Sequence, residues 1–142
     1  MKTEINFEYL VDFRLENEAQ YRKWLGDCAS FYNKHVSKLS YVFCSDDYLL
    51  EINKSFLNHD YFTDIITFDD CKGNRIYGDI IISVDRVKEN ADLFEVDFRT
   101  ELKRVMAHGL LHLLGYKDAS DDEKRTMRRK EVEFIKLFHV EH

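Results

Sequence analysis

An α+β fold, a single domain over residues 1–142 with a sheet of about four strands packed with helices, is predicted by three observations. Short runs rich in β-branched and aromatic residues alternate with longer runs whose apolar residues recur at helical spacing. Capping residues precede the longer runs, and a turn containing Gly and Asn joins two of the short ones. The length of 142 residues suits one core, because domains typically run about 100–150 residues.

The first strand is expected within Ile5 to Phe13. After Asn17, an N-cap, apolar residues at Tyr21, Trp24, Leu25, Cys28, Tyr32 and Val36 predict a helix with one buried face. Leu39 to Cys44 reads as a short strand. Ser45, Asp46 and Asp47 then offer caps for a helix that carries Leu49, Ile52 and Phe56 on one side and stops near Asn58. Asp64 to Phe68 and Arg75 to Ser83 predict a hairpin around Asp70-Cys71-Lys72-Gly73-Asn74, whose Gly and Asn tolerate positive φ. A short helix follows Ser83. A longer one spans about Asp97 to Leu114, anchored by Phe98, Leu102, Val105 and Leu113 and stopped by Gly115. Ser120 with Glu123 has the spacing of a capping box, opening a C-terminal helix whose Met127, Phe134, Ile135 and Phe138 turn inward.

Hydrophobic residues make up 44% of the chain, enough for a core and too many for a disordered, charge-dominated segment. A net charge of −6 argues against coating nucleic acid through bulk positive charge, yet leaves room for a local basic face. The densest basic run, Lys124-Arg125-Thr126-Met127-Arg128-Arg129-Lys130, reads either as such a face or as the solvated side of a helix. No stretch approaches the roughly 20 apolar residues that span a bilayer, and the opening MKTEINFEYL carries acidic residues where a signal peptide would be apolar. A cytoplasmic protein without a membrane partner is expected. Cys28, Cys44 and Cys71 are odd in number and form no CxxC pair, so they read as reduced, buried thiols.

The chemistry concentrates in residues 107–118. His108 and His112 lie four apart, which on a helix puts both rings on one face where they can share an ion. Zinc takes nitrogen and oxygen ligands at roughly 2.0–2.2 Å, and a catalytic site needs a third protein ligand from outside the helix plus an open position. Gly115 can reverse the chain after the helix, which makes Asp118 the natural third ligand. One zinc ion per chain, held by His108, His112 and Asp118, is therefore expected. Gly109 weakens a helix by about 1 kcal/mol relative to Ala and suggests close approach by substrate or backbone. His59, in a loop, is a candidate catalytic residue or a plain polar one, and His139 with His142 reads as a solvated tail.

The run His108 to Asp118, HGLLHLLGYKD, resembles the signature HGxLHLxGYDH of the YbeY family of bacterial zinc-dependent endoribonucleases and rRNA maturation factors. Leu57-Asn58 followed by Thr63-Asp64-Ile65-Ile66-Thr67-Phe68 is similar to the family's LN…TDVLSF segment, and Gly78 to Ser83 to its GDIxIS strand. The chain departs from that pattern at Asp118, where the family has a third histidine, and in a shorter loop after Asn58 that lacks the family's arginine. The resemblance implies a zinc-dependent, single-strand-specific endoribonuclease that works with the small ribosomal subunit in rRNA maturation and ribosome quality control. In that role His108 and His112 would be catalytic through the metal.

Two other readings stand beside it. A non-catalytic ribosome-assembly factor would use the same zinc structurally and bind RNA without cutting it. A metalloprotease shares the ligand spacing, but it needs a glutamate directly after the first histidine, where this chain has Gly109.

Overall fold

The computed structural model describes residues 2–59 and 61–139. Its elements in chain order are β1 (Glu4–Tyr9), α1 (Glu18–Phe31), β2 (His35–Cys44), α2 (Asp46–Leu57), β3 (Ile65–Asp69), β4 (Arg75–Ser83), α3 (Val84–Phe94), α4 (Phe98–Leu113) and α5 (Asp121–Phe138). Helix starts follow local chemistry. The side chains of Asn17, Ser45, Ser83, Asp97 and Ser120 each accept a backbone N–H of the first turn, satisfying a donor that has no intrahelical partner. Ser120 and Glu123 form the reciprocal capping box that their spacing predicts.

The four strands order as β1-β2-β4-β3, with β1, β2 and β4 parallel and β3 antiparallel to β4. Alternation then sorts the side chains. Leu39, Tyr41 and Phe43 of β2 and Ile76, Ile80 and Ile82 of β4 enter the main core, where Trp24 and Leu25 of α1, Met106 and Leu110 of α4 and Phe134 of α5 cover them. Burying a side chain such as Met106 or Leu110 contributes roughly 1.5–3 kcal/mol. The opposite face carries a smaller cluster in which Leu49 and Ile52 of α2 pack with Ile66, Phe68 and Ile81.

Several expectations shift. Val36 belongs to β2, paired with Ile76, and not to α1, which stops at Phe31 before Asn33 turns the chain at φ 58°. Tyr32 and Val36 are four apart, so a strand residue facing the core continued the helical stripe by coincidence. β1 ends at Tyr9, the N–H of Leu10 still donates to Phe43, and Val11 to Phe13 leave the ladder, although Phe13 packs edge-on against Phe98. Phe56 shares the side of α2 with Leu49 and Ile52 and meets Phe68 edge-on, yet stays 71% exposed, and Cys71 is only partly buried.

Helix α4 lies close against β4 because two glycines permit it. A methyl group on Gly109 would stand 2.9 Å from both Ile65 Cδ1 and Ile80 Cγ2, so what approaches Gly109 is the sheet's own side chains and not substrate or backbone. One turn later Leu113 lies over Gly78, where a methyl would meet Leu113 Cδ1 at 3.1 Å and the backbone oxygen of Phe68 at 2.7 Å. A carbonyl in a ladder cannot step aside as a side-chain tip can.

Gly78→Ala is therefore expected to lower stability by about 1–3 kcal/mol, read from urea unfolding, by prying β3 from β4 and lifting α4. The thiols offer a second check. Burial pushes Cys44 up to about 12 and, with the Asp69 carboxylate adding to it, Cys71 up to about 11, while burial raises Cys28 as well. Since the thiolate is the reactive form, only about one Cys71 in a thousand is reactive near pH 8. Disulfide reagents should label the native chain slowly, Cys71 first, and all three cysteines quickly after denaturation; fast labelling of Cys28 or Cys44 in the native chain would contradict this packing.

Candidate metal centre

Helical spacing brings the two imidazoles together as expected: His108 Nε2 and His112 Nε2 are 3.0 Å apart. The helix ends in a Schellman motif. Gly115, at φ 102°, donates its N–H to the His112 carbonyl, and Tyr116 donates to the Leu111 carbonyl. This reversal places the Tyr116 carbonyl against His112 Nδ1 at 3.0 Å and returns Asp118 so that its Oδ2 lies 3.1 Å from His108 Nε2 and 3.3 Å from His112 Nε2. The three side chains form a group able to hold a metal ion.

Proton bookkeeping shows what fits there. A carbonyl oxygen only accepts, so His112 must carry its proton on Nδ1. His108 Nδ1 faces a Glu131 carboxylate oxygen at 2.6 Å and likewise donates. Both Nε2 atoms then present lone pairs to one point, beside a carboxylate oxygen, and a cation satisfies all three. Ligands at roughly 2.0–2.1 Å from a tetrahedral ion are about 3.3 Å from one another, close to the 3.0, 3.1 and 3.3 Å edges of this triangle. Nitrogen and oxygen donors of this kind suit zinc, among other divalent ions.

Behind His108 stands a layer that spacing along the chain does not reveal. Glu131 of α5 is 1% exposed and Glu101 of α4 is 2% exposed, yet both are charged residue types. Arg104 joins them: its guanidinium contacts Glu101 at 2.7 and 2.9 Å and both Glu131 oxygens at 3.3 and 3.4 Å, with Asp64 Oδ2 at 3.8 Å. Burial opposes the charge on Arg104, but the bonds from Glu101 and Glu131 outweigh it and hold the guanidinium even more firmly protonated than usual. Burial lifts the Asp64 carboxyl above the usual carboxylate range, against the pull of Arg104 and His108. One signal for Glu131 was present in the sequence. It stands four residues after Met127 and three before Phe134, where the inward stripe of α5 calls for an apolar residue.

The other candidates lie elsewhere. His59 follows α2, stacks its ring on Tyr61 at 5.1 Å and pairs Nδ1 with the Tyr61 hydroxyl at 3.0 Å. Neither contact joins it to the three-residue group. His139 caps the end of α5 on the surface, and His142 lies outside the described residues. In the run Lys124 to Lys130, Met127 is buried, Lys124, Arg125, Arg128 and Arg129 face solvent, and Arg125 pairs with Asp122.

Comparison with known proteins places this geometry. The family model described as endoribonuclease YbeY matches residues 6–139. A protein named endoribonuclease YbeY from Flavobacterium psychrophilum is 52% identical over 96% of this chain and 97% of its own length. Another of that name from Christiangramia forsetii is 50% identical over 99% and 98%. Among solved structures, the solution structure of TM1509 from Thermotoga maritima superposes with a TM-score of 0.66 at 25% identity, covering 96% of this chain and 89% of that one. The chain belongs to the endoribonuclease YbeY family.

Proposed function

We propose that this endoribonuclease uses one zinc ion, held by His108, His112 and Asp118, to cut single-stranded RNA in the cytoplasm during maturation of small-subunit rRNA and in ribosome quality control. The carrying observation is the triangle of two Nε2 lone pairs and one carboxylate oxygen, with both Nδ1 protons already committed. Among the described residues no helix is long and apolar enough to cross a membrane.

When bound, zinc supplies Lewis acidity toward a phosphate oxygen and lowers the pKa of water toward about 7. The chain's own residues set the terms. His108 and His112 offer neutral nitrogens, and Asp118, 42% exposed, contributes a negative charge on the open side. Imidazole at that position would leave the ion and its ligands at a formal charge of about +2, and a carboxylate lowers this to about +1, making the ion a weaker acid. His59 is the further catalytic candidate, reaching RNA from its loop.

The metalloprotease reading loses its base. The residue after His108 is Gly109, buried against Ile65 and Ile80, and Glu131 engages the Nδ1 side of the ring, away from the open position. The assembly-factor reading draws on the shorter loop after Asn58 and is decided by the same assay.

A defined single-stranded rRNA fragment should be cut by the zinc-loaded chain and left intact by His108→Ala and His112→Ala, with casein untouched by all three. Both variants should keep the wild-type far-ultraviolet circular dichroism. Collapse of the fold in both, together with an uncut fragment in the wild type, would point to a structural ion instead. His59→Ala should leave zinc affinity unchanged while lowering cleavage. Asp118→His should move the acidic limb of the pH–rate profile to lower pH, because a more positive centre acidifies its water further; an unmoved limb rejects that electrostatic account.

A further inference from the structure

Three carboxylates converge on Arg104, and the proposed mechanism uses none of them. Two are almost fully buried. A buried carboxylate is retained at a cost of several kcal/mol unless it is paired and bonded, and Glu131 is bonded on both sides, by the guanidinium and by the His108 ring. Its bond to His108 Nδ1, at 2.6 Å, is the shortest polar contact of the site.

We infer that Glu131 is a positioning residue of the metal centre: its carboxylate holds His108 with the proton on Nδ1 and the Nε2 lone pair aimed at the point shared with His112 and Asp118, and Arg104 holds that carboxylate in place. The inference rests on the proposed metal reading of those three side chains. Geometry sets the order of dependence. Arg104 stands one turn before His108 on α4 and grips Glu101 with a two-pronged contact from its own helix. The face it turns toward α5 then fixes where both Glu131 oxygens lie. His112 has no need of such a partner, because the Tyr116 carbonyl orients it from the Schellman turn. The two imidazoles are thus aligned by independent devices, one local and one dependent on the docking of α5.

Outer partners of metal-bound histidines typically change metal affinity by about 10–100-fold when removed. In Glu131→Gln, zinc affinity of the folded protein, measured by competition with a chromophoric chelator, should fall by that factor, beside the drop in melting temperature that breaking a buried ion pair brings. Arg104→Lys, which retains the charge but not the fork, should have an affinity between wild type and Glu131→Gln. A purely structural Glu131 would lower the melting temperature and leave the affinity of the folded fraction unchanged. Nitrogen-15 spectra of the wild-type, metal-free histidine rings give a readout that needs no variant: His108 should be protonated at Nδ1. A proton on Nε2, or a Glu131→Gln protein that is folded and binds zinc within about twofold of wild type, overturns the inference. Wild-type protein that takes up no zinc overturns the metal reading itself, and the positioning role with it.

Discussion

Two imidazole nitrogens 3.0 Å apart, each left with a bare lone pair because a partner on the far side of its ring holds the proton on Nδ1, are the constraint around which the rest of this chain is arranged. Left to themselves, two lone pairs and a carboxylate at that separation repel. The fold holds them together because each is fastened from behind: His112 by a carbonyl in the turn that follows its own helix, His108 by a carboxylate from the next helix, and Asp118 by the short path from Gly115. The stability needed to keep such a group assembled comes from the core, where α1, α4 and α5 close over one face of the sheet.

The precision of the site depends on how closely α4 rests on β4. Gly109 sits between the two histidines in sequence, about 100° round the helix from His108, and there lets Ile65 and Ile80 of the sheet press close to the backbone of α4. Gly78 does the same from the sheet, admitting Leu113. Helix and sheet thereby meet across a single layer of side chains, Ile65 and Ile80 from the sheet and Leu113 from the helix. Small displacements that would open the triangle are resisted by contacts that have little room to relax.

What could be read in advance follows from where information is stored along a chain. The pair His108 and His112, the stop at Gly115 and the return to Asp118 fall within eleven residues and obey local geometry, so spacing alone located them. The caps of Ser45, Ser83 and Ser120 and the hairpin of β3 with β4 were legible for the same reason. The inward place of Glu131 on α5 was readable, but its meeting with Arg104 and His108 was not, because that depends on how α5 crosses α4, and nothing in the spacing of either helix encodes that crossing. Val36 misled since an inward-facing strand residue and the next step of a helical stripe coincide there. Gly109 was noticed for its cost to the helix, but which neighbour approached it could be known only once the sheet was in place.

Helix α5 also fastens α1: the Trp24 indole donates to the Phe134 carbonyl at 2.6 Å, and Phe138 packs against both Tyr21 and Trp24. The element that steadies His108 is therefore the same one that latches onto α1. During synthesis the three ligand residues leave the ribosome before Glu131 does, and before α1 has its final neighbour. Such a nascent chain holds every donor of the candidate metal centre while lacking the backing for one of them, so full activity toward RNA would arrive only with α5.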